Sequence, residues 1–376
     1  MERKLELDGI RGVAILLVLI WHYGNRQIDP NANIFLAYLK LASNVTWSGV
    51  DLFFVLSGFL IGGILLRHRT CSNYFRVFYI RRACRIFPLY FSLIFLFYAL
   101  SRSASPGYSW LFSDPLPTWS YLTFTQNYQA YSFEKGPHWL GITWSLAVEE
   151  QFYLVLPLLI RFAPAPLLII ILLTLITLAP VMRFWIGGVG SFQYTFCRSD
   201  SLLVGVLLAW LYQKPPFFEF LRRNRVTCRV VLSVMIVLTS FVPLVAFGLG
   251  GVANHFWFAI LYGVFLTFIV VFPESGLTAL MRQRFLVWLG VHSYFIYLSH
   301  QGVAGLLHGA IFSSEPRLGS PLQVIVTSLS LIVVLFLARV SYRYFESPSL
   351  CYGRSFSYRN APSTADRLAD RSRECN

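Results

Sequence analysis

Charge is what this chain has least of. Asp, Glu, Lys and Arg make up 13% of its 376 residues, about half the share of an ordinary soluble domain. A sequence so poor in charge cannot give a globule a solvated surface, which excludes a soluble enzyme and a disordered tail protein alike. Acids are scarcer than bases: 17 against 31, a formal net charge of +14. In a soluble protein that excess points to nucleic acid. No basic-aromatic soluble module is present to carry such binding, so a nucleic-acid partner is not expected. Cysteine is also rare. Its six positions (Cys71, Cys84, Cys197, Cys228, Cys351 and Cys375) match no metal-site spacing, and no metal is expected. Internal repeats and low-complexity stretches are absent. No small-residue cleavage site follows the first apolar run at Tyr23, so a cleavable leader is not expected.

What is abundant is apolar and aromatic. Hydrophobic residues are 56% of the chain and Phe, Trp and Tyr 17%, with a mean hydropathy of +0.60. This reads as an all-α polytopic membrane protein. Ten apolar segments approach or reach bilayer length: 7–24, 46–66, 84–101, 142–161, 165–186, 199–213, 230–248, 254–273, 286–308 and 321–345. With the N-terminus in the cytoplasm, the cytoplasmic segments hold 23 of the 31 Lys and Arg, including Lys4, Arg67, Arg81, Arg82, Arg85 and every arginine from Arg339 on. The outer segments hold seven, Arg183 and Arg198 among them, and Arg11 lies within the first span. That asymmetry is the positive-inside bias. It implies a bundle of about ten transmembrane helices with both termini cytoplasmic, in the plasma (inner) membrane. Only Cys197 then lies outside, so neither a disulfide nor a catalytic cysteine is expected.

Residues 1–346 read as one membrane-embedded domain, and 347–376 as a polar, mobile cytoplasmic tail. The longest outer loop, about Arg102 to Gly141, is rich in Pro, Trp, Tyr and Ser. Its rings with polar tips suit either a membrane interface or a sugar-binding lid. Gly58, Gly62 and Gly63, at small-residue spacing in the second span, suit close helix packing as well as a substrate role.

Ionisable groups inside spans sort by depth. Arg11 is low in the first span, and Arg82 and Arg85, three apart and on one face, mark the entry of the third. His22, Asp51, Glu149, Glu150, Asp200 and His300 lie toward the outer half. Arg11 and His22 are eleven residues apart, which returns an ideal helix to within about 20° of one face after a climb of roughly 16 Å. Guanidinium forks suit phosphate, whereas carboxylates and imidazoles suit proton transfer at a hydroxyl. For Arg76 and Arg81 plain positive-inside anchoring is the preferred reading. Two adjacent acids, Glu149 and Glu150, are unlikely both to face lipid, so at least one needs a partner or a wet cavity.

The motifs in order are LDGIRG with Arg11-x10-His22, GVDLFFVLSGFLI (Gly49–Ile61), FYIRRACRIFPLYF with Arg82-x-x-Arg85, WSLAVEEQFYLVLP (Trp144–Pro157), CRSDSLLVGVLLA (Cys197–Ala209), SYFIYLSHQ (Ser293–Gln301) and FESP (Phe345–Pro348). In this series the chain resembles the integral-membrane acyltransferases of the acyltransferase-3 type, from Leu7 to Pro348. The resemblance implies ten core helices and transfer of an acyl group, usually acetyl, from cytoplasmic acyl-CoA to a hydroxyl on the outer side. The acceptor is expected to be the sugar of a surface or exported polysaccharide or glycolipid. Arg82 and Arg85 match the motif linked with the CoA phosphates, and Arg11 and His22 match the family's essential pair. Some members carry an outer esterase-like domain; with about thirty polar residues after the last span, none is expected here.

On this resemblance His22 is expected to act as general base, or to carry the acyl group, with Arg11 supplying positive charge at the CoA phosphate or thioester. Glu149 or Glu150 would orient His22 or bind the acceptor. Asp51, Ser57 and His300 are candidates for lining the cavity and binding substrate. Two alternatives stand beside this: acylation of a small molecule such as a macrolide, and a transporter, against which the lack of an internal repeat weighs.

Overall fold

Each of the ten expected segments forms a helix over its described residues. A computed structural model describes residues 4–31, 34–104, 106–113, 115–129, 138–241 and 252–359. Its long helices are α1 (Leu5–Leu19), α2 (Gly49–Arg67), α3 (Tyr74–Ser101), α4 (Trp144–Phe162), α5 (Ala165–Ile186), α6 (Thr195–Leu211), α7 (Arg225–Thr239), α8 (Val252–Val271), α9 (Arg284–Phe312) and α10 (Pro321–Ser341). No strand occurs among the described residues. The chain is an all-α polytopic membrane protein. Six helical stretches among the described residues cross a bilayer by length and apolarity alone. Neither α1, which is 15 residues long, nor α4, which carries Glu149 and Glu150, is among them.

Glycine sets the closest approaches. A Cβ on Gly9 would lie 1.7 Å from the Met281 carbonyl oxygen, on Gly12 2.0 Å from that of Leu286, and on Gly290 1.7 Å from that of Asp8. The LDGIRG motif is therefore the surface on which α1 meets the start of α9 and the short helix Gly276–Met281 before it. A second contact joins α2 to α6, where a Cβ on Gly58 would lie 1.9 Å from the Leu202 oxygen and one on Gly205 2.1 Å from the Val55 oxygen. Gly62 meets Val206, whereas Gly63 would touch nothing nearer than 3.9 Å. In hydrocarbon, where apolar burial gives helices little reason to associate, backbone contact of this kind is what holds them. The packing role of Gly58 and Gly62 thus has a direct structural account.

Two arginines counted with the outer loops are inside the bundle. Arg198 of α6 donates to Asp51 of α2 at 2.8 Å and faces the rings of Phe54, Trp144 and Phe192 at 5.5–5.6 Å. Arg183 of α5 donates to Asp200 at 2.7 Å and to the Cys197 carbonyl. Both side chains are 1% exposed.

Several boundaries differ from the sequence reading. Helix α3 starts ten residues before the expected 84, so Arg81, Arg82 and Arg85 lie well inside it. A short amphipathic helix, Ile34–Ser43, occupies what read as loop. The aromatic outer segment does not stand off as a lid: Tyr108, Trp110, Leu111 and Trp139 fill the space over Gly309, Gly305 and Gly302 of α9. Residues 130–137 of that segment, the end of the 230–248 span beyond 241 and the tail from 360 lie outside the described residues. The first part of the expected mobile tail is a helix, α11 (Ser347–Ser355), packed on α3 with Gly353 against Cys84. Small and polar residues there (Ser349, Gly353) allow close contact, and the Ser349 hydroxyl donates to the Cys84 carbonyl at 2.6 Å.

A Gly58→Leu substitution is expected to cost at least 1–3 kcal/mol, the scale of overpacking, and to lower the melting temperature of the detergent-purified protein. Gly63→Ala, one turn away, is expected to leave the melting temperature unchanged.

Candidate active site

A cavity of about 220 Å³ lies among α1, α2, α3, α4 and α9. Its wall carries Arg11, Ser57, Arg82, Arg85, Glu149 and Tyr297. Arg82 and Arg85, three apart on α3, reach it together because they share a helix face. Arg11 arrives from α1, held by Asp8 one turn below at 2.9 Å. Glu149 from α4 lies in the field of all three guanidinium groups. Ser57 and Tyr153 share a hydroxyl–hydroxyl hydrogen bond of 2.5 Å beside it. Three cations and one carboxylate thus face one space, an arrangement suited to an anionic group with hydrogen-bond acceptors.

Below it a second cavity of about 360 Å³ contains Lys4, Asp8, Arg67, Tyr212, Gln213 and Arg354. Arg11, Leu60 and Ile64 line both spaces. The two therefore abut, and a ligand entering at Lys4 and Arg67 meets Arg11 at the passage into the bundle.

The opposite end of the inner cavity leads to the histidines. Tyr297 binds Ser145 hydroxyl to hydroxyl at 2.5 Å and donates to the Ile142 carbonyl at 2.9 Å. Its ring centroid is 6.1 Å from that of His300. His300 in turn meets His22, with ring centroids 4.9 Å apart and His300 Nε2 3.3 Å from His22 Nδ1. The acceptors around the pair assign the tautomers. His300 Nδ1 faces the carbonyls of Tyr297 at 2.7 Å and Ile296 at 3.0 Å, so it carries the proton and Nε2 the lone pair. His22 Nδ1 faces that lone pair and the Val18 carbonyl at 3.0 Å. It too must donate, which leaves His22 Nε2 as the free basic nitrogen of the neutral ring. His22 sits in a π-helical turn, Ile20–Gly24, that continues α1; such turns occur often at functional sites. The Gln27 side chain fixes the turn by donating to the His22 carbonyl at 2.9 Å, and the Tyr23 hydroxyl donates to the His300 carbonyl at 2.8 Å.

The expected site residues fall into four places. Arg11, Ser57, Arg82, Arg85 and Glu149 share the inner cavity. His22 and His300 form a pair beyond Tyr297, so the side chain that meets the His22 ring is His300. Glu150 lies outside the cavity wall, close enough to Arg82 to feel its charge, with Oε1 buried and without a hydrogen-bond partner among the described residues. Asp51, expected to bind substrate, is fully buried: it accepts from Arg198, from Ser201 Oγ at 2.9 Å and from His255 Nδ1 at 3.3 Å, and it does not line the cavity. Buried ion pairing with Arg198 claims it.

Sequence reasoning missed Tyr153, Tyr297 and Glu346. All three stand inside quoted motifs: Tyr153 one turn after Glu149, Tyr297 three residues before His300, and Glu346 in FESP. Glu346 is buried, accepts from Ser341 Oγ at 3.4 Å and acts on the charge of Arg85. Helical spacing from a named acid or histidine was the available signal. Lys4, Arg67 and Arg354 carried no local signal beyond positive-inside charge. Among the described residues no group of three or more His, Cys, Asp or Glu could hold a metal.

A family profile described as an acyltransferase domain, of the acyltransferase-3 type, matches residues 4–340. The O-acetyltransferase OatA of Staphylococcus aureus strain NCTC 8325 is 27% identical over 374 residues, covering 91% of this chain and 56% of the relative. A putative O-acetyltransferase of S. aureus strain COL is 28% identical over 375 residues, with the same coverage. The chain spans about half the length of the curated relatives it matches. No solved structure matches it. With nearly its whole length matched, the chain belongs to the acyltransferase-3 family of integral-membrane acyltransferases.

Proposed function

We propose that this O-acetyltransferase domain moves an acetyl group from cytoplasmic acetyl-CoA, through the bundle, to a hydroxyl of an extracytoplasmic sugar. The observation that carries the reading is the pair of abutting cavities. Cations line the path from Lys4 and Arg67 to Arg11, Arg82 and Arg85, and a neutral histidine pair lies beyond its far end. CoA is a polyanion at one end and a thioester at the other, joined by a long flexible arm. Its diphosphate suits Arg82 and Arg85, with the arm passing Ser57 and Glu149 toward Tyr297.

At the outer end His22 Nε2 takes the proton of the acceptor hydroxyl as its oxygen attacks the thioester carbonyl. The C–O bond forms, the C–S bond breaks, and the proton passes from His22 to the departing thiolate. Neutral imidazole suits both halves of that exchange. Arg11 stands at the passage between the cavities and offsets the negative charge of the donor. Exposed rings of the outer segment, Trp119 and Tyr128, support a sugar acceptor, since sugar faces stack on aromatic surfaces. The relatives' names as O-acetyltransferases support the acetyl group and the hydroxyl acceptor. The positive-inside charge pattern supports a plasma (inner) membrane location with both termini in the cytoplasm.

Membranes containing the protein, given radiolabelled acetyl-CoA, are expected to transfer label to glycan or glycolipid. His22→Ala is expected to lower the rate by about 10²–10⁴-fold, the range of general base catalysis, and Arg85→Ala to raise the acetyl-CoA concentration needed for half-maximal rate. Near-normal transfer by an inserted His22→Ala protein contradicts the role of His22, and label on a small soluble product contradicts the sugar acceptor. His300→Ala is expected to cost on the order of tenfold in kcat, the equivalent of one lost hydrogen bond, with KM for acetyl-CoA unchanged. A change in KM alone contradicts the orienting role.

A further inference from the structure

The stretch after the last span is fastened to the cytoplasmic end of the bundle by contacts that anchoring in lipid would not require. Arg81 donates to the Phe356 carbonyl from Nε at 2.9 Å and Nη2 at 2.6 Å. Asn73 brackets the next turn, donating to the Ser357 carbonyl at 2.9 Å and accepting from the Arg359 amide at 2.9 Å. Tyr358 stacks on His68, with centroids 3.9 Å apart and rings 14° from parallel, while Arg81 stands 5.5 Å from its ring centroid. A strap held at so many points fixes where its side chains go. Arg354 is thereby placed on the wall of the lower cavity, which Arg67 and Lys4 also line.

That cavity is too cationic for its own acids. Asp8 is its one acid, and it pairs with Arg11. Neither Arg67 nor Arg354 has an acid within ion-pair distance among the described residues. Two guanidinium groups lining one cavity without an acid of their own repel, and the strap keeps Arg354 on that wall. Tyr212 and Gln213 add an aromatic face and an amide to the same wall. A planar ring, an amide and paired guanidinium groups are the recognition set for a phosphorylated nucleoside.

Resting on the acyl-CoA reading, we propose that the strap Ser347–Arg359 completes the donor site. Arg354 and Arg67 clamp the 3′-phosphate of the CoA nucleotide, and the strap confers selectivity for CoA over its 3′-dephospho form.

The test is binding, which needs no acceptor. CoA and 3′-dephospho-CoA are titrated into the full chain in detergent by calorimetry. The wild type is expected to bind CoA about tenfold tighter, the scale of one charge-assisted contact. Arg354→Ala is expected to bring the two affinities together, and Arg354→Lys to keep part of the preference. Tyr358→Ala, which loosens the strap, is expected to reduce the same ratio. A merely structural strap weakens both ligands equally and leaves the ratio intact; that result overturns the proposal, as does a wild type without preference. Failure of the wild type to bind either ligand overturns the acyl-CoA reading itself.

Discussion

Guanidinium groups inside a membrane protein need an anion, and the way each buried arginine meets that need organises this molecule. Arg183 and Arg198 are satisfied by Asp200 and Asp51 and form the static outer-half framework of α2, α5 and α6. Removing one partner of such a pair costs about 3–5 kcal/mol because the other charge stays buried. Arg82 and Arg85 are treated differently. They line open space, with Glu149 across the cavity and Glu150 and Glu346 acting on their charge. The same side chain is thus structural where an aspartate meets it and available where a cavity does.

Placing those groups depends on backbones that nearly touch. Gly9, Gly12 and Gly290 bring α1 against α9, which puts Arg11 and His22 of one helix beside the cavity wall and His300 of the other. Gly58 and Gly205 bring α2 against α6, which sets Asp51 on Arg198 and turns Ser57 to the cavity. The glycine motifs and the ionisable motifs are interleaved in sequence because the contacts that fix a helix are one turn from the groups it presents.

Much of this was legible beforehand, for identifiable reasons. Charge asymmetry and hydropathy act on whole segments, so ten helices were readable. Arg82 and Arg85 are three residues apart, so their common helix face was readable too. Asp51 was misjudged because sequence shows an acid in a span but not the Arg198 that meets it 147 residues later. The contact between His22 and His300 was illegible for the same reason: the two are 278 residues apart. The π-helical turn at Ile20–Gly24 alters the ideal-helix geometry assumed between Arg11 and His22, and no composition signal marks it. The strap read as a mobile tail because it is short and polar, while what holds it, Arg81, Asn73 and His68, lies on other elements.

At the centre of the account is a donor that enters from one face and an acceptor served at the other, with Arg11 and His22 on one helix between them. Acetyl-CoA is charged and does not cross a bilayer, so sealed vesicles of defined orientation test this directly. Labelled acetyl-CoA added to the bath of inverted vesicles, which expose Lys4, Arg67 and Arg354, is expected to acetylate glycan. Right-side-out vesicles given the same bath are expected to show none until they are permeabilised. Equal labelling of intact right-side-out vesicles would contradict it.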